Sequence, residues 1–332
     1  MFRNCIIVVL CLMIDCMFGQ KIRFLNAENQ SPMKQLLILN SKKSFLGQTD
    51  ENGAIEKSIL AKEKWVLISH PSIDTDTLYV DKIQNDTYHL KPTKVYKIPE
   101  IIISKTQKDY LVIEGFFNGF VTNDGVFNIY IDGIIQYVFS VKSKKLEKQI
   151  LKEYRSFVME SRHEVKKIND IIFDNIIRLP HPKRISNILK PSFKKHYHPL
   201  ENETSYSIHR QKFNEKEWKF LGYVFYQWNF LDVYRFSGKS TSPQQLSGYD
   251  ETFTFKLKHK KDEHFTQITS VAHFYPAEVK YLNKNELSKG VKFNRKKSNY
   301  RTQFWTEPYF NTTYQLLSQQ FNSNLREMPN EN

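Results

Sequence analysis

A chain of 332 residues, 40% hydrophobic, is long enough for two or three hydrophobic cores, and its formal charge is +14. All three cysteines lie at positions 5, 11 and 16. Removal of that segment leaves neither disulfides nor a thiol nucleophile to the rest of the chain, which must then hold together by burial alone.

Residues 1–19 read as a secretory signal. Arg3 forms a basic tip, an apolar run follows over 5–13, and Gly19 is a small exit residue. The run is shorter than the ~20 apolar residues of a membrane span. Cleavage after Gly19 is expected, and Asp15 before Cys16 disfavours a lipid anchor there. The segment carries Arg3 and Asp15 together, so its loss leaves the net charge at +14. Lysine-rich clusters at 142–148, 256–261 and 295–297 fit a solvated surface. For an exported protein, nucleic acid is the least suitable anionic partner; an envelope protein, a lipid or a glycan fits better, and peripheral membrane contact is compatible with the charge.

Residues 20–104 alternate short β-prone runs with turn residues, as an antiparallel sandwich does. The runs cover 36–39, 55–60, 65–69, 77–80 and 87–90. Between the first two, Asp50, Asn52 and Gly53 predict a structural turn, with the Asp50 carboxylate accepting from main-chain N–H groups and Gly53 at positive φ. The stretch opens like a calcium loop, but Ala54, Ile55 and Lys57 stand where further oxygen ligands are needed.

The order of these features resembles the carboxypeptidase-regulatory-like domain, a prealbumin-like sandwich. The matching residues are Gly47, Thr49, Asp50 and Gly53, then Ile55 and Ile59, Val66 to Ser69 with His70-Pro71, and Leu90-Lys91-Pro92. The chain departs from the pattern at Lys21-Ile22-Arg23-Phe24 and lacks a Gly-Tyr after Ile68. The resemblance implies a structural or interaction module of a bacterial cell envelope, without an active site of its own.

Residues 105–198 predict a four-stranded meander and a helix. Asn123-Asp124-Gly125 marks one hairpin, Asp132-Gly133 a second turn, and the basic stretch 142–145 a third. Val165, Ile168, Ile171, Ile172 and Ile176 recur at helical spacing over 163–178, before Pro180 and Pro182. Residues 199–332 predict aromatic-rich strands at 221–228, 231–236, 252–258, 265–273 and 277–282, then a helix over 309–325. The expected class is mainly β: an antiparallel sandwich, then an antiparallel sheet, half-barrel in character, with a few covering helices. Residues 105–332 can equally form one domain.

No cofactor or metal is expected. His196, His198 and Glu201 are the weak metal candidates, from a His-x-x-Glu match with His273 as the one tempting later partner. Phe236-Ser237-Gly238-Lys239-Ser240 ends like a phosphate loop but has Val233 where the loop needs glycine. Glu114, Asp132 and Glu201 are scattered carboxylates of the type glycosidases pair across a cleft. Trp65, Trp218, Trp228 and Trp305 suit core packing or stacking on sugars. The leading expectation is a non-enzymatic envelope protein with a structural or binding role. The alternatives are a carrier of lipid or another apolar ligand, a glycan-binding module, and a hydrolase with an unrecognised site.

Overall fold

The computed structural model describes residues 20–332 apart from 43, 51, 71–72, 84–85, 93–107, 160–176, 183–184, 186–194, 201–202, 213–215, 238–241 and 308–324. The expected secretory signal, 1–19, and most of both expected helices, 163–178 and 309–325, thus lie outside the described residues. The chain is mainly β and divides into two compact units, Met1–Val95 and Tyr96–Asn332.

The first unit is a sandwich of two sheets. Strands β1 (Lys21–Asn26), β4 (Ala54–Glu56) and β7 (Thr87–Leu90) form one, in the order β4-β1-β7. Strands β2 (Leu37–Leu39), β3 (Phe45–Gln48), β5 (Trp65–His70) and β6 (Ile73–Tyr79) form the other, in the order β3-β2-β5-β6. Ile22, Phe24 and Ile55 of the first sheet share one core with Ile38, Val66, Ile68 and Leu78 of the second. The sandwich is not wholly antiparallel, because β1 runs parallel to β7.

The turn at 49–53 carries the chain from one sheet to the other. The Asp50 carboxylate accepts from the N–H groups of Asn52 and Ala54, each at 2.9 Å, and Gly53 has φ +68°. A Cβ on Gly53 would lie 2.5 Å from the Phe24 carbonyl oxygen. Gly53→Ala is therefore expected to lower the stability of this unit by about 1–3 kcal/mol in urea unfolding. Thr49 is fully buried; its hydroxyl donates to the Met33 carbonyl and accepts from Leu36 N–H at 3.0 Å. Thr49→Val keeps the shape and strands both groups, so a loss of about 2 kcal/mol is expected in the same measurement. After the turn the predicted strand over 55–60 stops at Glu56, and Lys57–Leu60 form a short helix, α1, that buries Leu60.

Among the described residues the second unit is built on one ten-stranded sheet. Its first part is a meander of β8 (Tyr110–Asn123), β9 (Val126–Ser140) and β10 (Leu146–Met159). The predicted hairpin at Asp124-Gly125 is present, with φ of +47° and +81°. The predicted turn at Asp132-Gly133 is not: both residues lie inside β9, and the meander has three strands. Glycine is needed there for close approach, since a Cβ on Gly133 would lie 2.2 Å from the Glu153 carbonyl oxygen.

Strands β11 (Lys195–Leu200), β12 (Glu203–Lys212), β13 (Trp218–Phe220), β14 (Tyr223–Ser237), β15 (Leu246–His259) and β16 (Thr266–Leu282) follow, and β17 (Leu325–Glu327) pairs with β10. Two predicted breaks disappear again. Residues 223–228 of the first run and 231–236 merge into β14, Leu221 and Gly222 forming the turn before it, and 265–273 and 277–282 merge into β16 across a bulge at Pro276. A bulge is where a residue without an N–H fits inside a strand. The order is β11-β12-β14-β15-β16-β8-β9-β10-β17, with β13 on β14, so the last long strand docks along the first. The sheet is an open row rather than a closed barrel. Along β15, Phe253, Phe255 and Leu257 are buried, while Thr254, Lys256 and Lys258 are half-buried, as their alternation predicts.

Candidate functional site: the aromatic end of the long sheet

The two faces of this sheet carry different chemistry. On one face Phe117, Ile131, Tyr137, Phe274, Tyr234, Tyr249 and Phe253 belong to the main core, joined by Ile177 and Ile185. On the other, directly paired residues of six strands set out a row that begins at Val233 and is polar from there on: Asp250, His273, Asn118, Asp132 and Arg155.

Within that row the charges pair. Arg155 donates to Asp132 through Nε at 3.0 Å and Nη2 at 2.6 Å, and both residues are buried. Its guanidinium lies 4.1 Å from the centre of the Trp305 ring. Burial pushes the Asp132 carboxyl up, against the pull of Arg155. Asp250 bonds Arg235 and lies 2.7 Å from His273 Nδ1. Burial raises its pKa, but Arg235 and His273 outweigh that and hold it well below the ordinary carboxylate range. A depressed carboxylate contributes stability that is present above the unfolded pKa and lost as pH falls through the folded one. Asp250→Asn is therefore expected to flatten the loss of stability on acidification below about pH 4, read as urea midpoint against pH.

The carboxylates that do meet are Asp232 and Glu251, opposite each other on the core face of β14 and β15. The Tyr249 hydroxyl stands between them, 3.0 Å from Glu251 Oε2 and 3.4 Å from Asp232 Oδ1. Burial, then Asp232, raises the Glu251 pKa, and the His181 main chain bonds to it. The pair is thus filled from within and roofed by the segment carrying His181.

Of the residues singled out in the sequence, His196 and His198 lie on β11 and Glu201 lies outside the described residues. Among the described residues no three His, Cys, Asp or Glu side chains come close enough together to hold a metal ion. His273 has a carboxylate partner instead. Glu114 accepts from Gln136 and faces Lys280, while Asp132 is closed by Arg155, so these two do not form a glycosidase-like pair.

The surface that stands out is where β13 turns into β14. Phe225 and Phe255, then Phe230 and Phe253, share the core face, with Trp228 among them. Trp228 joins them because Gln227 adopts φ +51° within a bulge, which returns 228 to the face of 225. At the open end Trp218 stacks on Phe220, with ring centres 5.4 Å apart and planes at 7°, and packs against Phe225 at 5.0 Å. Phe225, Phe253 and Phe255 are buried, whereas Trp218 is 41%, Phe220 53% and Leu221 76% exposed. Sequence reading grouped Trp218 with three other tryptophans; only the hairpin geometry separates it from Trp65, Trp228 and Trp305, which are half-buried.

No family model matches the chain and no curated protein matches it, so the site's geometry carries the functional argument.

Proposed function

We propose that the protein is an exported, non-enzymatic binding protein of a bacterial cell envelope. In this reading the first unit is a carboxypeptidase-regulatory-like sandwich, and the long sheet presents the contact surface at residues 218–221. The observation that carries it is the exposure of three large apolar side chains within four residues, Trp218, Phe220 and Leu221, on one face and the turn of the β13–β14 hairpin. Contiguous apolar exposure of this kind marks a contact surface rather than ordinary surface scatter. The buried state of Phe225, Phe253 and Phe255 supports a surface contact over a carrier with an open apolar trough. The composition of residues 1–19 supports export, and the Asp50–Gly53 turn supports the sandwich assignment.

The test is co-sedimentation of the full chain with the envelope fraction of the producing bacterium. The wild-type chain is expected in the pellet. A variant carrying Trp218→Ser, Phe220→Ser and Leu221→Ser is expected to remain largely in the supernatant, with its circular dichroism unchanged. Equal pelleting of the two proteins refutes the reading.

A further inference from the structure

The turn that displays the apolar tip is built against ordinary turn chemistry. Leu221 and Gly222 have φ of +49° and +82°, a two-residue turn of type I′. The same sheet forms an equivalent turn with Asp124 at +47° and Gly125 at +81°, the residues such turns favour. Leucine rarely adopts this backbone conformation, and here its side chain is also the most exposed large hydrophobic of the tip. Fold alone asks for Asn, Asp or Gly at 221; a leucine there answers to something outside the fold.

The surroundings of the tip are basic. The Lys260 N–H donates to the Gly222 carbonyl at 2.8 Å, and Tyr223 pairs with His259, so the 218–222 hairpin and the 259–262 turn form one end of the sheet. Lys216, Lys219, Lys260 and Lys261 are exposed there, and Lys256 and Lys258 are half-buried, against Glu217, Asp262 and Glu263. Lys258 stands 4.6 Å from the centre of the Phe265 ring, which keeps its charge on this end. An apolar point with a tryptophan at its base and a collar of lysines has the layering of a bilayer surface. Leucine reaches the acyl chains, the indole sits at headgroup depth, and the ammonium groups meet anionic headgroups. A sugar ring fits less well, because one face of the Trp218 ring is already covered by Phe220.

We infer that the 218–222 hairpin is a docking tip for an anionic phospholipid bilayer, an inference that rests on the contact-surface reading above and names the partner. Its test is sedimentation of the full chain with vesicles of phosphatidylethanolamine alone or mixed with phosphatidylglycerol. Binding is expected to the mixed vesicles, and each lysine brought within reach of the charged surface is expected to contribute up to about fivefold. Lys260→Glu with Lys261→Glu, or raised salt, is expected to weaken it accordingly. Leu221→Asn is the sharper variant: asparagine suits the left-handed turn, so thermal stability is expected to hold or rise while vesicle affinity falls about tenfold or more.

Undiminished vesicle binding by Leu221→Asn overturns the inference. Absence of vesicle binding by a chain that still pellets with the envelope through 218–221 also overturns it, and leaves the contact-surface reading standing. In that case, loss of pelleting after protease treatment of the envelope identifies a protein partner, and loss after periodate treatment a glycan. Failure of both the vesicle and the envelope experiments removes the surface reading itself.

Discussion

Arg155→Met is expected to destabilise the second unit by about 3–5 kcal/mol, because it leaves the Asp132 carboxyl buried without its bidentate partner, at the cost of either an uncompensated charge or an unsatisfied protonated acid. The double variant Asp132→Leu with Arg155→Met is expected to recover most of that loss. Two apolar side chains of similar bulk then fill the same space beside Phe157, Phe304 and Trp305. Urea unfolding followed by tryptophan fluorescence reads both variants, since Trp305 lies against the guanidinium. A single variant within about 1 kcal/mol of wild type contradicts the coupling, because exposed pairs are worth no more than that.

Gly133→Ala is the second large effect. The added methyl group would stand 2.2 Å from the Glu153 carbonyl oxygen and 2.8 Å from the Phe117 ring. Neither neighbour is the loose end of a flexible side chain, so β9 and β10 must separate locally. The expected loss is about 3 kcal/mol, the upper end for overpacking. Hydrogen exchange is expected to rise at the β9–β10 ladder around Gly133 and Tyr154, which are direct partners. A stability equal to wild type and an unchanged exchange pattern there run against this explanation of why glycine is present.

The same pair of letters, Asp-Gly, shows how far the sequence could be read. At 124–125 it makes a hairpin turn, legible because β-prone runs flank it and both residues suit positive φ. At 132–133 the flanking runs look much the same, yet the chain continues straight. Asp132 is there for Arg155, 23 positions away, and Gly133 for the main chain of the next strand. Both reasons lie on a neighbouring strand, and a single segment does not display them. Pro276 misleads in the same way. A proline inside a β-prone run argues for a break, but a bulge opposite Gly115 absorbs it.

The alternation of Phe253, Phe255 and Leu257 was readable because one period of two covers the whole strand. In β14 that period is interrupted at Gln227, so the common face of Phe225, Trp228 and Phe230 follows only from the bulge. The Asp232–Glu251 contact likewise depends on the register between β14 and β15. Turn residues Asp50, Asn52 and Gly53 were legible through local hydrogen bonding, whereas the Thr49 hydroxyl, which binds residues 13 and 16 positions earlier, was not. The exposed tip sits between these cases. Leu221-Gly222 reads as the start of the strand expected over 221–228, and its conversion to a turn comes from pairing Phe220 with Tyr223.

The central claim, that the chain meets its partner through this tip, is tested most directly by oxidative footprinting with and without the envelope fraction. Protection is predicted in the peptide containing Trp218, Phe220 and Leu221, with Trp65 and Trp305 modified as before. Unchanged oxidation at 218–221 together with protection elsewhere contradicts it.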